Sequence, residues 1–258
     1  MSYGPYDMIA SVYDAIYTQI KDYPGEAERL RLLVAEFNRS GATSLLDVAC
    51  GTGLHALELG KWYEVDGLDL SAAQLAIARQ RLPLRTALHQ ADMRTFELLD
   101  RYGAITCMFS AIGHLLEYAD LVATFTNIHK HLLPGGVFIV EPWLTPDAYV
   151  PGKLHENIVQ EPGLWHPRKI IRIVTSERSG NLIRLQLHHF VQHYATIPGQ
   201  PVGRWQVSEF TEIHELMMYP HEEIIQALEE TGLEVVRYDK HGVNANGRGI
   251  HVARRPLQ

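Results

Sequence analysis

The sequence predicts an α/β fold: a doubly wound, mostly parallel seven-stranded sheet with helices on both faces and an antiparallel β insertion. Short apolar runs alternate with stretches of helical periodicity between residues 44 and 141, the pattern of strands joined by crossover helices. A glycine-rich break, Cys50-Gly51-Thr52-Gly53, follows the first run, where a strand would turn into a helix. Residues 183–192 and 207–217 carry instead a period of two, the mark of long strands with two different faces. A length of 258 residues suits one large domain with a sizeable insertion and is ample for a self-sufficient core.

In chain order, Leu30, Leu32, Leu33 and Phe37 recur at helical spacing, so residues 1–40 read as helical. Ser44 to Ala49 is the first strand, and a helical pattern through Leu57, Leu59 and Trp62 follows the glycine turn. Val65 to Leu70 is the second strand, and Ser71 is a good N-cap for a helix over Ala72 to Arg81. Thr86 to Gln90, Ala104 to Phe109 and Gly136 to Glu141 complete the parallel set; the helix Leu121 to Leu132 is expected to stop at Pro134-Gly135-Gly136. In the insertion, Ile183, Leu185, Leu187, His189 and Val191 alternate with Arg184, Gln186, His188, Phe190 and Gln192. Val207 to Met217 alternates likewise, and Lys169 to Thr175 is a shorter candidate. Pro220 to Thr231 returns to helix with Gly232 as its C-cap, and Leu233 to Tyr238 pairs antiparallel with Gly249 to Ala253. The expected division is a core of residues 1–145 and 219–258 and an insertion of residues 146–218, a substrate roof or a subunit interface.

The charge balance, 23 Lys and Arg against 30 Asp and Glu for a formal −7, disfavours nucleic acid and anionic membrane as partners. Cys50 and Cys107 make neither a disulfide framework nor a zinc site. No metal is expected from the histidines: His188 and His189 should point to opposite faces of one strand, and His193, His214 and His221 are scattered. The start MSYGPYDMIASVYD lacks the pattern of a secretory signal, and no apolar run approaches the ~20 residues of a membrane helix. A soluble, cytoplasmic protein is expected.

The turn Asp47-Val48-Ala49-Cys50-Gly51-Thr52-Gly53 lets a ligand approach the backbone closely. It continues Leu54-His55-Ala56, without the third glycine of a dinucleotide fingerprint or the Gly-Lys-Ser/Thr of a phosphate loop, so phosphate is not what it cradles. Asp69, ending the second strand, can accept both hydroxyls of a ribose. Asp92, beyond the third, can accept an exocyclic adenine amine, with Met93 covering the ring. Asp47 is placed to orient the turn.

Taken in this order and spacing, the glycine turn, the Gly67-Leu68-Asp69-Leu70-Ser71 strand end and Ala91-Asp92-Met93 resemble the motifs of the class I S-adenosylmethionine-dependent methyltransferases, which have a Rossmann-like fold. The resemblance implies S-adenosyl-L-methionine as cofactor and S-adenosyl-L-homocysteine as product. It sets Gly51 and Gly53 against the methionyl part and Asp69 and Asp92 on ribose and adenine, with Tyr13, Asp47, Ala49, Leu70, Met93 and Met108 completing the cofactor residues. LLDVACGTG, HQADMRTF, CMFSAIGHL, LPGGVFIVEPW and NGRGIHV are similar to the N-methyltransferases that make the dimethylamino groups of desosamine and mycaminose on a dTDP-sugar. That likeness runs from about Tyr13 to Val252, and Lys21-Asp22-Tyr23 fits it, which adds Tyr23 as a substrate contact. It departs at Leu144, where the family reads tryptophan, at Asn244 to Gly249, and at Glu161 to Pro167.

Methyl transfer from a sulfonium is a direct displacement, in which orientation alone supplies on the order of 7–11 kcal/mol. The attacking amine must be neutral, so a nearby base is useful. His114, just beyond the fourth strand, is the candidate, since an unperturbed histidine titrates near neutrality. Tyr6 and Tyr13 are candidates for closing the site from the N-terminal segment, and Glu141 for steadying an ammonium. Trp143 or Trp165 suits stacking on a thymine, and Arg248 suits a diphosphate; Arg172 and Arg184 offer the same fork from strands, where exposed arginines are commonplace.

The expected function is thus S-adenosylmethionine-dependent N-methylation of a small-molecule amine, foremost a nucleotide-linked amino sugar, by a homodimer paired through its insertion strands. A free amine, amino acid or natural-product hydroxyl is the alternative acceptor, marked by indifference to the nucleotide. A non-catalytic binder would hold the cofactor without acceptor-dependent turnover.

Overall fold

The structure is a computed structural model that describes residues 9–152, 155–160, 168–195, 203–240, 242 and 248–257. Tyr6, Trp165 and most of the departures at 161–167 and 244–249 lie outside the described residues.

After α1 (Ala10–Tyr17) and α2 (Tyr23–Phe37), strands and helices alternate: β1 (Ser44–Val48), α3 (Leu54–Leu59), β2 (Glu64–Asp69), α4 (Ala72–Arg81), β3 (Leu88–Gln90), β4 (Tyr102–Cys107), α5 (Tyr118–His131) and β5 (Leu132–Val140). Local signals set these boundaries. Asp22 caps α2 through the Gly25 N–H at 3.1 Å, and Ser71 caps α4 through the Gln74 N–H at 3.1 Å. The expected stop at Pro134-Gly135-Gly136 is not a turn: β5 starts directly after α5 and runs through these residues, with a register shift against β4. Gly136 is needed there, because a Cβ would lie 2.8–3.1 Å from three backbone carbonyl oxygens.

The large sheet has the order β10-β11-β5-β4-β1-β2-β3, where β10 (Glu234–Asp239) and β11 (Ile250–Arg254) follow α6 (His221–Glu230). Its first five strands are parallel and β11 pairs antiparallel with β10, as expected, and also with β5. Alternate side chains feed two cores. Leu46, Val48, Ile105 and Phe138 pack with Leu121, Phe125 and Ile224 from α5 and α6. Leu45, Ala104 and Ile139 pack with Ala27, Leu30, Ala56 and Ala78 from α2, α3 and α4. The strand order reverses between β1 and β4, which places a crevice at their carboxyl ends.

The insertion is a four-stranded antiparallel sheet: β6 (His155–Gln160), β7 (Lys169–Ser179), β8 (Leu182–Ala195) and β9 (Arg204–Met217), paired in that order. β7 is longer than its sequence candidate, and β6 had no alternation clear enough to predict it. His189 is buried on the inner face, stacked on Phe210 at 4.7 Å, whereas His188 bonds Thr211 on the outer face. α1 lies between the sheets. Ile9, Val12, Ile16 and Tyr17 pack on Val159, Ile170 and Val191 of the insertion, and Asp14 is tied to the core by an ion pair with Arg81 and a 2.6 Å bond from Thr52 Oγ1.

Gly53 shows how tightly the first turn is built. It has φ +80°, caps α3, and a Cβ there would stand 2.9 Å from Leu82 Cδ1 and 3.3 Å from the Ala78 Cβ. Gly53→Ala adds left-handed strain to overpacking and is expected to lower unfolding stability by about 2–4 kcal/mol, read from urea denaturation. An unchanged midpoint would contradict this packing.

Candidate active site

The ends of β1, β2, β3 and β4 enclose a cavity of about 210 Å³. Ala49 and Gly51 form one wall, both with left-handed backbone, φ 57° and 56°. That conformation is free for glycine and costs the alanine roughly 1–2 kcal/mol. Asp69 holds the turn: its Oδ2 accepts the Gly51 N–H and its Oδ1 the Ser71 N–H, each at 2.8 Å. One carboxylate thus clamps two strand ends and keeps lone pairs for a ligand hydroxyl. Asp92 accepts the Arg94 backbone N–H and its guanidinium, which also reaches Asp120 at 3.0 Å. Those bonds from Arg94 hold the Asp92 carboxyl below the usual range. Leu68, Leu70, Met93, Met108 and Leu115 make the rest of the lining largely apolar. Acidic acceptors for hydroxyl and amine groups beside an apolar slot fit an adenosyl group.

A second cavity, about 540 Å³, lies between this region and the inner face of the insertion. Phe109 and His114 line both cavities, so the two adjoin there. Phe109 and Ser110 also have left-handed backbone, φ 57° and 69°. Glu141 holds them: its Oε2 accepts the Phe109 N–H at 3.0 Å, and its carbonyl accepts the Ser110 N–H at 3.1 Å. His114 ends a 3-10 turn, Ala111–His114, with its ring 5.7 Å from that of His214. His214 Nε2 lies 3.3 Å from Glu212 Oε2. Burial pushes the His114 imidazole down to about 4, and His214 adds to the effect, so it is neutral at physiological pH. The expected near-neutral titration therefore does not hold, for a reason that no sequence window contains. The Arg248 guanidinium lies 4.8 Å from the Trp143 ring centroid and 5.2 Å from that of Phe109.

Of the residues singled out by sequence, Tyr13, Ala49, Gly51, Asp69, Leu70, Asp92, Met93, Met108 and His114 line the smaller cavity, and Trp143, Arg248 and again His114 the larger. Four stand behind the walls. Gly53 faces α4, and Glu141 supports the Phe109 backbone. Tyr23 is buried against His55 at 4.8 Å, beside Glu26, which takes Lys21 at 2.9 Å and His55 at 2.7 Å. Asp47 lies under the turn and accepts Thr106 Oγ1 at 2.8 Å. The sequence reading missed Gln74, Arg94 and Phe109 in the first cavity and Tyr17 and His214 in the second. Phe109 and Arg94 had local signals, since Phe109 directly precedes the Ser-Ala-Ile-Gly-His stretch and Arg94 directly follows Ala91-Asp92-Met93.

Burial pushes the Asp47 carboxyl up to about 6, with Asp69 adding to the shift and His55 and the Thr106 bond opposing it. The folded state therefore holds this proton more tightly than the unfolded chain. The stabilisation is complete below the ordinary carboxylate range and is lost as pH rises through about 6. Asp47→Asn should remove that component, so its urea midpoint should gain on the wild type between pH 5 and pH 8. A midpoint difference independent of pH would refute the assignment.

The methyltransferase domain family matches residues 45–136. The dTDP-3-amino-3,6-dideoxy-alpha-D-glucopyranose N,N-dimethyltransferase of Streptomyces fradiae is 39% identical over 229 residues, 88% of this chain and 84% of that one. The crystal structure of DesVI from Streptomyces venezuelae superposes with a TM-score of 0.82 at 36% identity, over 95% of this chain and 97% of that one. SAM-bound CalS10 from Micromonospora echinaspora, an amino pentose methyltransferase involved in calicheamicin biosynthesis, gives 0.78 at 34%, over 95% and 96%. With a seven-stranded sheet that reverses at the smaller cavity and relatives matched over nearly their whole length, the chain belongs to the S-adenosylmethionine-dependent methyltransferases, in the family of the dTDP-amino-sugar N,N-dimethyltransferases.

Proposed function

We propose that the enzyme methylates the amino group of a dTDP-linked amino sugar, with S-adenosyl-L-methionine in the smaller cavity and the acceptor in the larger. The observation that carries this is the junction: Phe109 and His114 line both spaces, so a donor on one side can meet a nucleophile on the other. The related enzymes from Streptomyces fradiae and Streptomyces venezuelae, named as N,N-dimethyltransferases of dTDP-amino sugars, support the acceptor class and two transfers to one nitrogen.

When bound, S-adenosyl-L-methionine supplies an electrophilic methyl on a sulfonium. Asp69 takes the ribose hydroxyls, while Asp92, Met93 and Leu70 serve the adenine. Tyr13 covers the cofactor from α1, and the Ala49 to Gly51 turn lies against its methionyl part. His114, being neutral, accepts a hydrogen bond from the acceptor amine and aligns its lone pair, and is too weak a base to hold the ammonium proton. Orientation, rather than strong base catalysis, is then the main source of rate. Trp143 and Arg248 close the acceptor side. Asp47, Gly53, Tyr23 and Glu141 act behind these contacts as supports.

No helix among the described residues is long and apolar enough to cross a membrane. Donor and acceptor are both small and soluble, which favours a cytoplasmic setting. The outer face of the insertion exposes Ile158, Trp205, Val207 and Ile213, and pairing of two copies there favours a homodimer. Sedimentation of the purified chain should show a dimer that Val207→Lys with Ile213→Lys converts to a monomer; a wild-type monomer would remove the idea.

The direct test is mass spectrometry of the protein incubated with S-adenosylmethionine and matched dTDP-amino sugars, free amino sugars and simple amines. Mass gains of one or two methyl groups are expected on the nucleotide-linked sugar alone; methylation of free amines with the nucleotide sugars untouched would sink the acceptor. His114→Ala should slow turnover about 10- to 100-fold, and kcat/KM should rise with pH along the acceptor amine's own titration. A limb near pH 6–7 abolished by the substitution would make His114 a general base instead.

A further inference from the structure

Arg94 lines the smaller cavity and stands between two acidic side chains. Its Nη2 donates to Asp92 Oδ2 at 2.6 Å, its Nε to both oxygens of that carboxylate at 3.0 and 3.1 Å, and its Nη1 to Asp120 Oδ2 at 3.0 Å. The Arg94 backbone N–H gives Asp92 Oδ1 a further bond at 2.9 Å. Asp92 follows β3 and Asp120 lies in the first turn of α5, so the guanidinium pins a strand end to a helix start. An isolated surface ion pair contributes little, but a fork gripped by one carboxylate and held from the far side by a second is the exception.

This grip limits what Asp92 can do for a ligand. An ionised carboxylate accepts about four hydrogen bonds and donates none. Three N–H groups of Arg94 take three of those places, which leaves about one acceptor position for a ligand. The ionisable groups around Asp92 are Arg94 on its own segment, Asp120 from α5, Asp69 from β2 and His114 from the 3-10 turn. Among these it is Arg94 whose bonds outweigh the opposing effect of burial and keep the Asp92 carboxyl ionised. Purines differ at the position it addresses: adenine carries an amine that donates, whereas hypoxanthine carries an oxygen that only accepts. A single fixed acceptor suits the first and repels the second.

We propose that Arg94 is a positioning residue that makes the cofactor site selective for adenine over a 6-oxopurine, by fixing Asp92 as an acceptor that cannot also donate. This rests on the placement of adenine at Asp92 above, and deepens it by naming the group that holds the carboxylate to one role. Asp120 completes the arrangement, since Nη1 is engaged there and the fork does not turn towards an oxygen on the purine.

Isothermal titration of the full chain with S-adenosylhomocysteine and S-inosylhomocysteine, at pH 5 and at pH 8, tests this. The wild type should bind the adenosyl ligand at least about tenfold more tightly than the inosyl one at both pH values, because the purine oxygen would leave the carboxylate unpaired. In Arg94→Met the carboxyl returns to its ordinary range and can hold a proton for the purine oxygen. The preference should then fall roughly fivefold or more at pH 5 and less at pH 8. A merely structural loss would weaken both ligands alike and leave the ratio independent of pH. Arg94→Gln should behave as the methionine variant does, and it serves if that one does not fold. Asp92→Asn, whose amide can donate, should abolish the preference. The proposal is overturned if the wild type does not distinguish the two ligands, or if both Arg94 variants keep the wild-type ratio at both pH values. The two readings fail separately: a ratio untouched by Asp92→Asn removes the adenine placement and the proposal with it, and a ratio lost in Asp92→Asn but kept in the Arg94 variants removes the role of Arg94 alone.

Discussion

Two consecutive residues with side chains, Phe109 and Ser110, hold a left-handed backbone at the end of β4, and the fully buried Glu141 keeps them there. Each such residue costs roughly 1–2 kcal/mol, so the conformation persists only because the neighbouring strand end supplies hydrogen bonds to both backbone N–H groups. The turn puts the Phe109 ring on the boundary between the two cavities and leads directly into the short helix that delivers His114 to the same boundary. A relaxed turn would displace both groups, and the two halves of the site would no longer share a wall.

Sequence reached the part of the molecule that local rules govern. The smaller cavity is made of strand ends and the turns after them, and a strand end announces itself: an apolar run, then glycine, aspartate or an N-cap serine. Ala49, Gly51, Asp69, Asp92 and Met93 were legible for that reason. The helix cap at Ser71 and the period of two in β8 and β9 belong to the same class of signal. β6 was not legible, because six residues at a sheet edge with mixed exposure carry no clean alternation. Nor was the start of β5: proline and two glycines normally end an element, and here tight backbone packing around Gly136 overrides that tendency.

The larger cavity was less legible for a different reason. Its walls come from α1, the β4 turn, the residues after β5 and the insertion, segments far apart in sequence that converge only in the folded chain. Burial cannot be read from a residue's own neighbours, which is why Arg172 looked exposed and His114 looked ready to titrate near neutrality. Both assumptions describe an isolated strand or turn. Once the insertion sheet closes over the core, the arginine loses water without an ion-pair carboxylate among the described residues, and the imidazole is pushed towards its neutral form by desolvation and by a second histidine ring.

α1 belongs to neither sheet, yet it furnishes Tyr13 to the wall of one cavity and Tyr17 to the wall of the other. It is fastened to the core through Asp14 and to the insertion through the Ile9 N–H on Glu212 and the Tyr17 hydroxyl on Arg172. A ligand that steadied this eight-residue helix from one side would steady it for the other, and any such coupling would have to be reciprocal. About two turns of helix thereby join the walls of both cavities in one short element.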